Sequence, residues 1–195
     1  MIAYLIDQGA IRVRITSGYL RNRQFEVPDS EVRPTMEAVR EALFSSLGGH
    51  CNGWRVLDLY AGSGALGLEA WSRGAASVIF VEKHVKVMKQ IEQNVEQLRS
   101  DELGEAQVYC ADAVRWVREV KSSFDLILAD PPYGCTEAFE ETLTAIKSAS
   151  ALTADGFVVY EMRSRQEWRL PSGWTVKRDK RYGKTRVLIL NQEQR

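Results

Sequence analysis

Short apolar runs alternate with helical stretches along most of this chain, and that rhythm leaves few folds open to it. From residue 54 the runs are WRVLDLY (54–60), SVIFVE (77–82), AQVYCAD (106–112), FDLILAD (124–130) and GFVVYEM (156–162). Helical stretches lie between them at 65–70, 84–99, 113–120 and 137–148; the longest carries Val87, Ile91, Val95 and Leu98 on one face. Shorter strands are expected at 174–178 and 186–190, which brings the count to seven. Strands alternating with helices imply a mainly parallel sheet with helices on both faces. Near-continuous apolar strands suit that burial. Such sheets bind ligands beyond the carboxyl ends of their strands. The acids that interrupt the runs, Asp58, Glu82, Asp112 and Asp130, fall at those ends.

The first part of the chain reads differently. Residues 11–27 alternate around Ser17-Gly18 and predict a β-hairpin. A loop follows, and Thr35 is placed to cap a helix from 36 to 47 with Met36, Val39, Leu43 and Leu47 on one face. The expected division is a hairpin and loop over 1–35 and an α/β domain over 36–195. A chain of 195 residues is long enough for one proper core. No run approaches a membrane span, and the start, MIAYLIDQ, lacks the features of a signal peptide. Cys51, Cys110 and Cys135 suggest neither disulfides nor a zinc site, which points to a reducing cytoplasm. No metal is expected, and His50 and His84 stand in no ligand constellation.

Charge is uneven beneath a net value of zero. Residues 10–25 hold four arginines (Arg12, Arg14, Arg21 and Arg23) and no acid; residues 163–186 hold nine Lys or Arg and two acids. Two basic segments on an otherwise acidic protein suggest a polyanionic partner such as nucleic acid.

The turn after the first apolar run reads DLYAGSGALG, with Gly62, Gly64 and Gly67 spaced as GxGxxG. Such glycines permit a sharp turn and close approach of a ligand to the backbone. A dinucleotide is the first candidate, with Glu82 on its ribose. Asp58 argues against it, because a carboxylate there disfavours a pyrophosphate and suits a cationic amino group. The chain also lacks room for a dehydrogenase's substrate domain. A nucleoside joined to an amino acid, S-adenosylmethionine, fits better. Glu82 would take the ribose hydroxyls, and Asp112 with the backbone of Ala113 the adenine amino group. Tyr60 and Lys83, beside these residues, complete the expected cofactor set. Each acid could instead cap a helix or turn.

The run at 124–130 ends in Asp130-Pro131-Pro132-Tyr133. An exocyclic amine of a base is a poor nucleophile, because its lone pair is delocalised into the ring. The Asp130 carboxylate and the Pro131 carbonyl can accept its two hydrogens and turn the lone pair outward. Each proline restrains the residue before it, so the acceptors are set in advance. Tyr133 can stack on the base. Asp130, Pro131, Pro132 and Tyr133 are therefore the expected catalytic residues.

The pairing of DxxxGxG with DPPY resembles amino-methyltransferases of nucleic-acid bases. RITSGYLRNRQF, RPTMEAVREALFSSL, VLDLYAGSGALGLEAWSRGA, FDLILADPPY and RYGKTRVLIL together resemble the bacterial RsmD family over about residues 11–191. The resemblance implies a Rossmann-like class I methyltransferase fold, S-adenosylmethionine as cofactor, and methylation of N2 of a guanine in small-subunit (16S) ribosomal RNA. It makes the partner 16S rRNA, in an assembling or assembled small subunit, and a monomer the default. Arg12, Arg14, Arg21, Arg23, Arg33, Thr35 and Arg40 are the expected RNA contacts, with the hairpin and its following loop lying over the site. Arg33 and Thr35 serve equally well as an ion pair and a cap. RYGKTR either serves the same groove or closes the sheet. The tryptophans read as core and strand-end packing, with Trp71 and Trp116 open to a base-stacking role.

Overall fold

A computed structural model describes residues 6–7, 10–27, 36–132 and 137–193. Its elements in chain order are β1 (Ile6–Asp7), β2 (Ala10–Arg14), β3 (Gln24–Val27), α1 (Glu37–Ser46), β4 (Arg55–Leu59), α2 (Ala65–Ser72), β5 (Ser77–Glu82), α3 (Val85–Leu98), β6 (Glu105–Cys110), α4 (Ala113–Glu119), β7 (Phe124–Ala129), α5 (Ala138–Ser148), β8 (Leu152–Arg163), β9 (Trp174–Tyr182) and β10 (Thr185–Gln192). Seven strands form one sheet in the order β6-β5-β4-β7-β8-β10-β9. The first five neighbours are parallel; β10 runs antiparallel to both β8 and β9. The direction of growth reverses at β4, because β5 and β6 add on one side of it and β7 and β8 on the other.

Side chains of successive strand residues point to opposite faces. Val56, Val78, Phe80, Leu126 and Leu128 join a core with residues of α1, α2 and α3. Leu57, Leu59, Ile127 and Ala129 join a second core with residues of α4 and α5. Helices therefore cover both faces, as the alternation predicts. On α3 the four expected apolar positions are all buried. None of the helices among the described residues is long and apolar enough to cross a membrane.

The hairpin forms as expected, with β2 and β3 antiparallel and the two-residue β1 added beside β2. Val13, Ile15, Leu20, Phe25 and Val27 lie in the first core. The hairpin's turn is fastened to the far end of α2. The Tyr19 amide donates to the Ser72 carbonyl at 2.8 Å, the Leu20 amide to Ser72 Oγ at 2.9 Å, and Ser72 Oγ to the Ser17 carbonyl at 2.6 Å. A Cβ on Gly18 would come 1.8 Å from the Ser72 carbonyl oxygen, so only glycine fits that crossing.

Three elements differ from expectation. β8 begins at Leu152, four residues earlier than expected, because Leu152 pairs with Phe124 before the register shifts between Phe124 and Leu126. β9 and β10 both lengthen, since cross-strand bonding carries the polar run Lys177–Arg181 as a strand although its composition is turn-like. On α1, Met36 is exposed and Phe44 is buried in its place. Thr35, the expected cap, lies outside the described residues, as do Arg33 and Tyr133.

Candidate active site

The carboxyl ends of β4, β5 and β7, with the turn after β6, bring Asp58, Glu82, Asp130 and Asp112 to one edge of the sheet, on either side of the reversal at β4. The glycine-rich turn rises from β4 at its centre. Gly62 (φ 53°) and Gly64 (φ 75°) adopt left-handed backbone, which glycine reaches without a side-chain penalty. Tyr60 (φ 58°) does so as well, against the preference of a bulky residue. Its hydroxyl shares a 2.8 Å hydrogen bond with Thr142 Oγ1 of α5, which ties the turn to the helix that follows the DPPY segment.

Two carboxylates shape this turn. Glu82 is 7% exposed and accepts the amides of Gly62 (3.0 Å) and His84 (2.8 Å), one on each oxygen. Charge-assisted bonds of this kind fix a carboxylate's position. Asp58 lies beneath the turn, 2% exposed, and accepts the Gly67 amide at 2.8 Å. Burial pushes its carboxyl up to about 8; the Gly67 amide opposes that and the Glu82 charge adds to it. Asp58 thus supports the turn from below through one of its oxygens. Gly67 is held tightly: a Cβ there would come 2.3 Å from the Phe80 ring and 2.8 Å from Asp58 Oδ2.

Asp112 caps α4, its Oδ1 accepting the Arg115 amide at 3.0 Å, while the residue remains exposed. Lys83 follows β5, and its carbonyl accepts the Cys110 thiol at 3.6 Å. Asp130 follows β7 directly and is half-buried; Pro131 is buried and Pro132 exposed. Among the described residues no cluster of three or more His, Cys, Asp or Glu is placed to hold a metal.

The expected RNA contacts divide. Arg12, Arg14, Arg21 and Arg23 are exposed. Arg12 pairs with Glu26 at 3.5 Å, and Arg14 with Glu37. Arg40 does not belong with them. It is 1% exposed, with Nε 3.6 Å from Glu69 and NH2 donating to the Arg14 carbonyl at 2.6 Å. The hairpin's turn, with Arg21 and Arg23, stands at the other end of α2 from the site. It is docked at Ser72, the last residue of α2, and the site stands before that helix's first residue. At 1.5 Å per residue the two ends are roughly 10 Å apart. Trp71 is fully buried, with its indole N–H donating to the Gly104 carbonyl, so it is no stacking platform.

One polar cluster was not expected. Glu69 accepts the Thr16 amide (3.0 Å) and hydroxyl, and pairs with Arg73 at 2.9 Å as well as with Arg40. All four residues are buried. The sequence signal for Arg40 was available: positions 36, 40, 43, 44 and 47 share one helical face.

Residues 13–191 match the family model described as Conserved hypothetical protein 95. The chain is 35% identical over 184 residues to YlbH of Bacillus subtilis, spanning 91% of this chain and 97% of that protein. It is 31% identical over 187 residues to ribosomal RNA small subunit methyltransferase D of Escherichia coli, spanning 95% and 92% respectively. The solved structure of yhhF from Escherichia coli superposes with a TM-score of 0.82 at 29% identity, covering 94% of this chain and 99% of the other.

Proposed function

Because this chain belongs to the Conserved hypothetical protein 95 family, the RsmD family, and has its Rossmann-like class I methyltransferase fold, we propose that it methylates N2 of a guanine in small-subunit (16S) ribosomal RNA. The observation that carries this reading is the meeting of the Gly62–Gly67 turn and Asp130-Pro131-Pro132 at the carboxyl ends of neighbouring strands. The Escherichia coli relative's name supports rRNA as the substrate class.

The residues at the turn suit S-adenosylmethionine. Glu82, already fixed by two amides, would hold the ribose hydroxyls. Asp112 has one oxygen on its helix cap, and with the Ala113 amide it would face the adenine edge. Gly62 and Gly64 keep the backbone bare for close approach, with Tyr60 and Lys83 at its borders, while Asp58 holds Gly67 from beneath. When bound, the cofactor supplies an electrophilic methyl group on a sulfonium. Asp130 and the Pro131 carbonyl would accept the two hydrogens of the guanine amine, which favours a pyramidal nitrogen with an outward lone pair. The target base must first leave any stack, at a cost of a few kcal/mol, and Tyr133 would offset part of it by stacking. After transfer the nitrogen is acidic, and Asp130 would take its proton in passing. The protein is proposed to work as a cytoplasmic monomer on rRNA within a subunit particle. Arg12, Arg14, Arg21, Arg23, Arg33 and Thr35 remain proposed RNA contacts.

The test is methyl transfer from labelled cofactor to small-subunit material from a strain lacking this protein, followed by nuclease digestion. N2-methylguanosine is the expected product; N6-methyladenosine would overturn the target base. Asp130→Ala should abolish transfer and leave cofactor binding nearly unchanged. Loss of cofactor binding in that variant would mean the roles are wrongly divided.

A further inference from the structure

The antiparallel insertion of β10 brings a basic segment to the site edge. Parallel β4, β7 and β8 all point their carboxyl ends toward the site edge. β10 runs back from that edge and β9 toward it, so the turn between Tyr182 and Thr185 stands on the same edge as Asp130. Tyr160 of β8 is level with Ala129 of β7, and continuing that register sets Arg163 beside Pro132. Thr185 pairs with Arg163, and the Ser164 amide donates to the Lys184 carbonyl at 2.8 Å. The β9–β10 turn therefore stands two to three strand spacings, roughly 10–14 Å, from the line of β7.

Exposed cations gather there: Arg163 at the end of β8, Arg165 just after it, Arg181 near the end of β9, and Lys184 in the turn. Arg186 is committed elsewhere, since it forks onto Asp179 and lies 5.1 Å over the Trp168 ring. Lysines and arginines along an edge strand also discourage sheets from pairing. That accounts for Lys177, Arg178 and Lys180 on the body of β9. It does not account for Arg163 and Arg165, which end and follow a central strand. The hairpin's Arg21 sits in the turn docked at the opposite end of α2.

We propose that Arg163, Arg165, Arg181 and Lys184 form a surface that holds RNA phosphates flanking the target nucleotide. This rests on the methyltransferase reading above. Phosphate contacts position a nucleic acid without reading its sequence, so the surface sets register on the rRNA and leaves base choice to the site.

The test compares the full-length protein with Arg181→Ala/Lys184→Ala and with Lys177→Ala/Lys180→Ala on the body of β9, using unmethylated small-subunit material at several salt concentrations. The rim pair should raise KM at least tenfold and lower the salt slope of RNA affinity by the equivalent of about two phosphate contacts. It should leave kcat and the cofactor's dissociation constant within twofold. The β9-body pair should leave KM and slope within twofold. An unchanged KM and slope in the rim pair, or a larger effect from the β9-body pair, overturns the proposal. If the unmodified protein transfers no methyl group, it is the methyltransferase reading that fails. Binding of the same variants to protein-free 16S rRNA then decides whether the rim surface holds phosphates.

Discussion

Asp58 is the residue whose environment most alters its chemistry. Its folded carboxyl is raised to about 8, chiefly by burial, while in the unfolded chain it titrates near 4. Between those values the folded protein keeps a proton that the unfolded chain has released. Raising the pH through that window therefore favours unfolding, by up to about 1.4 kcal/mol per pH unit. Asp58→Asn keeps an acceptor for the Gly67 amide and removes the titration. We expect the stability of the unmodified protein, relative to Asp58→Asn, to fall steadily from pH 5 to pH 7.5 in urea denaturation. Parallel curves would show that Asp58 is ionised in the fold. The sequence placed Asp58 and its three companions at the site edge because each acid ends an apolar run within its own stretch of chain. It did not show that the Asp58 carboxylate holds the Gly67 amide, because that contact depends on Gly67 and Phe80 closing over it.

At the scale of elements, one carboxylate joins three of them. Glu69 on α2 serves Arg40 on α1, Arg73 at its own helix end, and Thr16 beyond β2. Buried ion pairs cost desolvation, so the cluster's intact contribution is small, but removing one partner leaves charge uncompensated. Glu69→Ala should cost about 3–5 kcal/mol, read from the urea midpoint. In hydrogen exchange the amides of Tyr19 and Leu20 should lose protection before those of the central strands. Equal loss everywhere would mean that the cluster does not specifically anchor the hairpin. Sequence reasoning located the hairpin and α1 correctly and missed what holds them together. The bonds that fix the turn span 52 and 53 residues, and no local pattern reports a partner so distant. The same distance effect lengthened β9 and β10, whose polar run becomes a strand only because β10 pairs with it.

For the molecule as a whole, the expected boundary at residue 35 separates pieces that share a core. Val13, Ile15, Leu20, Phe25 and Val27 are each at most 6% exposed and pack with residues of α1, α2 and α3. Uncovering five such side chains at about 1.5–3 kcal/mol each would consume most of the roughly 5–15 kcal/mol a domain has. A chain of residues 36–195 should therefore fail to unfold cooperatively in a thermal scan followed by circular dichroism. A sharp transition near that of the full chain would make the hairpin a true appendage. Net charge pointed to two basic segments and could not say that the second reaches the site edge, since that needed the direction of β10. The strand order has one more consequence, for synthesis. β10 is made after β8 and β9, yet it stands between them. Until residues 185–192 leave the ribosome, β9 has no neighbour and one side of β8 stays open. A nascent chain stopped before residue 185 would lack an inner strand of its sheet, and with it the support of the rim beside Asp130.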